Sequence, residues 1–181
     1  NNTIIERHNE IVKPEDTVIC LGDVSFHHGV EWISKMNGKF ICIKGNHDDT
    51  EYKRNACARL TITYEKYKFL CCHRPDNVFG NFTLNIVGHV HEKWKEMWLN
   101  NGTSYPIFNI NVGVDVRKYI PLNDSEIIVI YEKARREQKG KNNNGQTQTN
   151  RQKKTPPKQT QQQNQIQKNI TPKKKKITKP I

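Results

Sequence analysis

Four short apolar runs in this chain each stop at a cluster of polar residues, and this repeated pairing constrains the fold more than any single motif. Residues 17–21 (TVICL) lead into Gly22-Asp23, 39–44 (KFICIK) into Gly45-Asn46-His47-Asp48, 68–72 (KFLCC) into His73, and 84–87 (LNIV) into Gly88-His89-Val90-His91. Brief, almost wholly apolar runs rich in β-branched residues read as strands buried on both faces. Loops at the carboxyl ends of parallel strands gather on one edge of a sheet, where such folds place ligands. The pattern predicts one pocket that receives Asp23, Asn46, His47, Asp48, His73, His89 and His91.

The intervening segments fit that frame. Residues 2–12 set Ile4, Ile5, His8, Ile11 and Val12 at helical spacing, with Pro14 as the stop. Val30, Trp32, Ile33 and Met36 line a short helix ending at Asn37-Gly38, so residues 17–43 read as strand, helix and parallel strand. A short helix is expected within 52–60, and a hairpin from 60–64 and 67–72 across Glu65-Lys66. Further strands are expected at 107–112 and 126–131. Seven strands with interspersed helices make an α/β domain.

The predicted pocket mixes carboxylate, amide oxygen and imidazole without thiolate. Such a donor set suits Mn, Fe or Zn and argues against a structural zinc finger. A carboxylate such as Asp23 can bridge two ions, which together hold and ionise a water. Gly22, Gly45 and Gly88 each precede a candidate ligand at a sharp turn, where the lack of Cβ admits close backbone approach.

Charge divides the chain in two. All 18 acidic residues lie within residues 1–137, where 18 of the 30 Lys and Arg balance them, so the net charge of +12 belongs to residues 138–181. That tail has no acid and no aromatic residue, and it reads as a disordered basic extension rich in Lys, Gln, Asn and Thr. It binds nucleic acid or another anionic surface through counterion release, or else it is a solvated extension without a partner. Cys20, Cys42, Cys57, Cys71 and Cys72 lack metal-type spacing and read as reduced core thiols of an intracellular, cytoplasmic protein. No apolar run approaches the roughly 20 residues a membrane-spanning helix needs.

In this order and after apolar strands, Gly22-Asp23, Gly45-Asn46-His47-Asp48, His73 and Gly88-His89-Val90-His91 resemble the signature blocks of calcineurin-like metallophosphoesterases. The resemblance covers roughly residues 1–132, and NVGVD at 111–115 with Tyr119 and Pro121 looks like the end of small prokaryotic or phage-type members. It implies a metallophosphoesterase-type β-sandwich flanked by helices, in four layers α-β-β-α. It also implies two divalent metal ions, with manganese favoured, and hydrolysis of a phosphomonoester or phosphodiester by a hydroxide activated between them. Carried onto this sequence, Asp23 bridges both metals, Asn46, His73 and His89 complete the second site, and His91 binds the first. His47 stabilises charge on the phosphate and protonates the leaving oxygen, with Asp48 holding its ring.

The family's opening Asp-x-His block has no match here, and His8, in a helical segment, cannot replace it. The expectation is that this block and its strand lie upstream of Asn1, so residues 1–137 form a domain lacking its first strand. Other residues carry plainer readings beside functional ones. His27 and His28 read as exposed loop residues or as substrate contacts, and Arg74 as a surface charge or a phosphate partner. Asn109 and Asn111 are ordinary polar residues or supports of the site. Asp48 has the alternative of capping a helix that starts near Thr50. Trp32, Trp94 and Trp98 read as packing residues. The competing function is a catalytically inactive domain that acts as a scaffold or nucleic-acid-binding protein through its tail.

Overall fold

The computed structural model describes residues 2–77, 82–100 and 105–152. Helix α1 (Asn2–Ile11) is followed by strand β1 (Thr17–Cys20), helix α2 (Gly29–Ser34) and strand β2 (Lys39–Cys42). β1 and β2 pair in parallel with Val18 opposite Phe40, as a strand–helix–strand crossover requires. Buried His8 joins α1 to this unit, its Nε2 lying 2.8 Å from Asn37 O and its ring stacked on Phe40.

Helix α3 (Thr50–Arg54) then leads to a five-stranded sheet of β3 (Arg59–Tyr64), β4 (Tyr67–Cys72), β5 (Leu84–Val87), β6 (Glu96–Leu99) and β7 (Ile107–Asn111), in the order β3-β4-β5-β7-β6. β3 and β4 form the expected hairpin, in which Glu65 takes the left-handed conformation (φ 50°) of a tight turn. β4, β5 and β7 run parallel, so their carboxyl ends share one edge.

Alternation along these strands feeds two apolar clusters. Phe69, Cys71, Leu84, Ile86, Phe108 and Ile110 face Leu21 and Ile43 from the ends of the first sheet, together with Ile127. Leu70, Cys72, Val87 and Ile107 pack on the opposite face with Phe82 and Trp94. Ile110 lies fully buried in β7. Ile110→Val is therefore expected to lower stability by about 0.5–1.5 kcal/mol in urea denaturation. Cys71 and Cys72 fall on opposite faces, and burial pushes their thiols up to about 12 and about 11. All five cysteines are free.

Two features differ from expectation. Residues 126–131 (EIIVIY) are helical, within α4 (Asp124–Gln152), although their β-branched side chains suggest a strand. A capping box decides the matter: Glu126 N donates to Asn123 Oδ1 and Asn123 N to Glu126 Oε2, both at 2.9 Å. Ile127, Tyr131 and Ala134 then face the sheet. Strand β6 escapes prediction because EMWL shows no clear alternation; it pairs antiparallel with β7, and Trp98 packs on Phe108 at a centroid distance of 5.0 Å.

The result is a mixed α/β fold with β-sheet flanked by helices. The chain divides into two compact units, Asn1–Lys139, which holds every named strand, and Gly140–Ile181. Within the second unit residues 140–152 are helical, and the part of the expected disordered tail at 153–181, including Lys173 and Lys176, lies outside the described residues. No helix among the described residues is long and apolar enough to cross a membrane.

Candidate metal centre

Residues immediately beyond β1, β2, β4 and β5 build the site. Asp23, His73 and His89 offer ligand atoms that all lie within 4.8 Å of one another. His73 sits at the centre. Its Nε2 is 2.8 Å from Asn46 Oδ1, 3.2 Å from Asp23 Oδ2 and 3.2 Å from His89 Nδ1.

The other ring nitrogen fixes the tautomer. His73 Nδ1 lies 2.7 Å from Leu21 O, and a carbonyl only accepts, so Nδ1 carries the proton. When the ring is neutral, Nε2 is then a lone pair aimed at an amide oxygen and a carboxylate oxygen. A proton shared between the two rings satisfies one of these contacts, whereas a divalent cation satisfies all of them at once. Burial above all, with the Arg74 charge adding to it, holds His89 below the ordinary histidine range, which favours its neutral, ligating form. The donor set fits a borderline divalent ion, and the raised Cys20 thiol, pushed by burial to about 11, offers no competing thiolate.

Backbone strain marks the same residues. Asp23 (φ 56°), His89 (φ 66°) and His91 (φ 47°) all occupy the left-handed region, which non-glycine residues seldom adopt unless their surroundings impose it. What imposes it at Asp23 is Asp48. The buried Asp48 carboxylate accepts from Asp23 N (3.0 Å), Val24 N (2.7 Å) and Gly45 N (2.7 Å), binding the loops after β1 and β2 together.

The loops touch so closely that a Cβ on Gly22 would lie 2.6 Å from Gly45 Cα, and one on Gly45 would collide with Asp23. At Gly88 the nearest atoms to such a Cβ are at 3.8 Å, an ordinary separation, so close approach does not require glycine there.

Two roles for Asp48 need correction. Its oxygens receive backbone amides instead of holding the His47 ring, because the paired loops leave three N–H groups without other partners. The cap of α3 is Asp49, whose Oδ1 accepts from Tyr52 N at 2.8 Å while Oδ2 accepts from Gly29 N at 2.7 Å. An Asp directly before Thr50 with Glu51 in the first turn is a legible capping signal. His47 is tied by its backbone, N donating to Asp23 Oδ1 at 2.8 Å, and its exposed ring meets the edge of Phe26 at a centroid distance of 5.2 Å.

The remaining candidates are placed differently. His91 belongs to a second group with Glu92 and Asp115, its Nδ1 2.9 Å from Asp115 Oδ2. Exposed Arg74 directs Nε and an Nη to the two oxygens of Asp76, each at 3.0 Å. His28 is exposed and faces Glu31 at 3.3 Å, while His27 is exposed. Asn109 and Asn111 are fully buried: Asn109 accepts from Asn85 across β5 and β7, and Asn111 holds the loop that carries His91. Trp94 and Trp98 pack against the two apolar clusters, and Trp32 is half-buried under the Lys35 ammonium.

No family model matches the chain. In fold it is similar to the protein of unknown function AQ665 from Aquifex aeolicus, at 24% identity and a TM-score of 0.54, over 70% of this chain and 82% of that one. A novel archaeal phosphodiesterase is similar at 21% identity and a TM-score of 0.43, over 60% of this chain and 72% of the other. In sequence the chain is 32% identical over 150 residues to the uncharacterized protein MJ1445 of Methanocaldococcus jannaschii, covering 75% of this chain and 77% of that protein. With that identity over three quarters of both lengths, the chain belongs to the same family as MJ1445.

Proposed function

We propose that this chain is a metallophosphoesterase of the calcineurin-like kind, hydrolysing a phosphomonoester or phosphodiester at the centre formed by Asp23, Asn46, His73 and His89. The observation that carries this reading is the convergence of Asn46 Oδ1, Asp23 Oδ2 and His89 Nδ1 on His73 Nε2, a donor set that one divalent cation would satisfy at once. Asp23 and the three neutral ligands would hold one divalent ion, and His91 would contribute to a second. Bound ions would supply Lewis-acid charge against phosphate oxygens and an ionised water at neutral pH. Manganese is the ion to test first, with iron and zinc as the other candidates for this donor set.

The chain's own groups do the rest. Asp48 fixes the backbone of the Asp23 loop and the Gly45 loop as one body, so the ligands are set before any substrate arrives. His47, anchored through its N–H on Asp23 and accessible to solvent, would donate a proton to the departing oxygen and offset phosphate charge. Arg74 and His28 would reach substrate only by leaving Asp76 and Glu31.

The test is turnover of a bis-aryl phosphodiester and an aryl phosphomonoester with Mn2+. His47→Ala is expected to lower kcat by about 10²–10⁴-fold while Mn2+ still binds. Activity that survives both His47→Ala and Asp23→Asn would reject the mechanism. Should the wild-type chain bind Mn2+ tightly and turn over neither ester, the alternative of an inactive domain working as a scaffold or nucleic-acid binder takes its place.

A further inference from the structure

His91 has little packing to hold its ring, since its side chain is 71% exposed, yet its backbone is held in the left-handed region. An exposed imidazole samples two tautomers and several rotamers, and a ligand in that condition binds metal weakly. The structure supplies a restraint. His91 Nδ1 lies 2.9 Å from Asp115 Oδ2, and Asp115 Oδ1 accepts from Val116 N at 3.1 Å. An ionised carboxylate only accepts, so this contact places the proton on Nδ1 and leaves the lone pair on Nε2.

The loop that brings Asp115 there is clamped to the loop that carries His91. Fully buried Asn111 donates from Nδ2 to His91 O and to Trp94 O, each at 2.8 Å, and accepts Gly113 N on Oδ1 at 2.9 Å. Arg117 Nε donates to Asn111 O at 2.8 Å, and its Nη2 donates to Glu96 at 2.8 Å. Lys118 and Tyr119 follow with φ of 55° and 65°, two consecutive strained residues that close the same loop. An isolated surface His–Asp pair contributes little and needs no such framework.

We propose that Asp115 is a positioning residue for His91: it takes the Nδ1 proton and presents Nε2 as the metal-binding atom. The proposal rests on the reading of His91 as a ligand. Carboxylates that orient ligating imidazoles in this way typically matter 10–100-fold in metal affinity. Asp115 would touch neither substrate nor metal and would act only through the ring.

The test uses the full chain. Long-range ¹H–¹⁵N spectra of the metal-free protein are expected to show His91, identified by its loss in His91→Ala, as the Nδ1–H tautomer. Asp115→Asn keeps an acceptor oxygen and preserves that tautomer, whereas Asp115→Ala shifts the ring toward Nε2–H. In Mn2+ titrations, Asp115→Ala is expected to weaken by about 10–100-fold the ion that His91→Ala loses, while Asp115→Asn stays within about threefold of wild type.

Three results would overturn the proposal. A wild-type Nε2–H tautomer removes the restraint, and an Asp115→Asn loss equal to that of Asp115→Ala makes Asp115 a ligand itself. Mn2+ binding unaffected by His91→Ala removes the ligand role, a failure of the earlier reading that the metal-free tautomer result tells apart from a failure of the Asp115 contact.

Discussion

Alanine at Asp48 is expected to lower the stability of the domain by about 3 kcal/mol or more and to abolish Mn2+ binding, whereas alanine at His47 leaves both close to wild type. The two residues are neighbours in sequence and opposites in environment. Asp48 is buried and receives three amides from two loops, while the His47 side chain is exposed. Hydrogen bonds to an ionised group contribute about 1.5–3 kcal/mol each, and every amide left without a partner costs about 1–3 kcal/mol. These terms are not additive, but even their lower range takes a large part of the about 5–15 kcal/mol that holds a small domain together. Asn at the same position keeps one acceptor and turns an amino group toward at least one N–H, so it should fall between wild type and Ala. Urea denaturation with a parallel Mn2+ titration decides: an Asp48→Ala protein with wild-type stability would refute the clamp, and a destabilised one that still binds Mn2+ would separate the clamp from the ligands.

How much of this is legible in the sequence depends on the range of the interaction. The meeting of Asp23, Asn46, His73 and His89 is legible because each follows an apolar strand, and parallel strands oblige their carboxyl ends to share an edge. The hairpin at Glu65-Lys66 and the crossover through α2 are legible for similar local reasons. The helical state of EIIVIY is less so, since local propensity favours a strand and the deciding cue is a capping box four residues long. β6 has no cue of its own and exists because β7 offers it an edge. The division of labour between Asp48 and Asp49 turns on which of two adjacent carboxylates faces inward. The cap at Asp49 is signalled by its place directly before Thr50, but the inward turn of Asp48 is settled only by the docking of the Asp23 loop against Gly45, which no spacing rule contains. Asp115 is hidden in the same way, because its partner lies 24 residues earlier.

The acceptor cluster around His73 has an energetic signature that distinguishes a metal centre from a polar core. In the absence of metal, Asp23→Asn should leave stability unchanged or raise it. Asn retains an Oδ1 for His47 N, which donates there at 2.8 Å, and gains an amino group that can donate to His73 Nε2, now 3.2 Å from a carboxylate oxygen. It also tolerates the left-handed backbone at φ 56°, where Asn is enriched. With Mn2+ the order should reverse. A ligand bound only by the folded state stabilises wild type by about 2.7 kcal/mol at 100 times its dissociation constant, and the variant, having exchanged an anionic donor for a neutral one, should gain far less. His73→Ala should lose the same metal-dependent gain without any compensation in the metal-free state, because it opens a buried gap beside Leu21 and removes the partner of its carbonyl. Thermal unfolding of the three proteins with Mn2+ and with chelator tests this crossing directly. If Asp23→Asn destabilises the chelated protein by as much as it lowers the metal-dependent gain, the carboxylate belongs to an ordinary hydrogen-bond network and the case for a cation there fails.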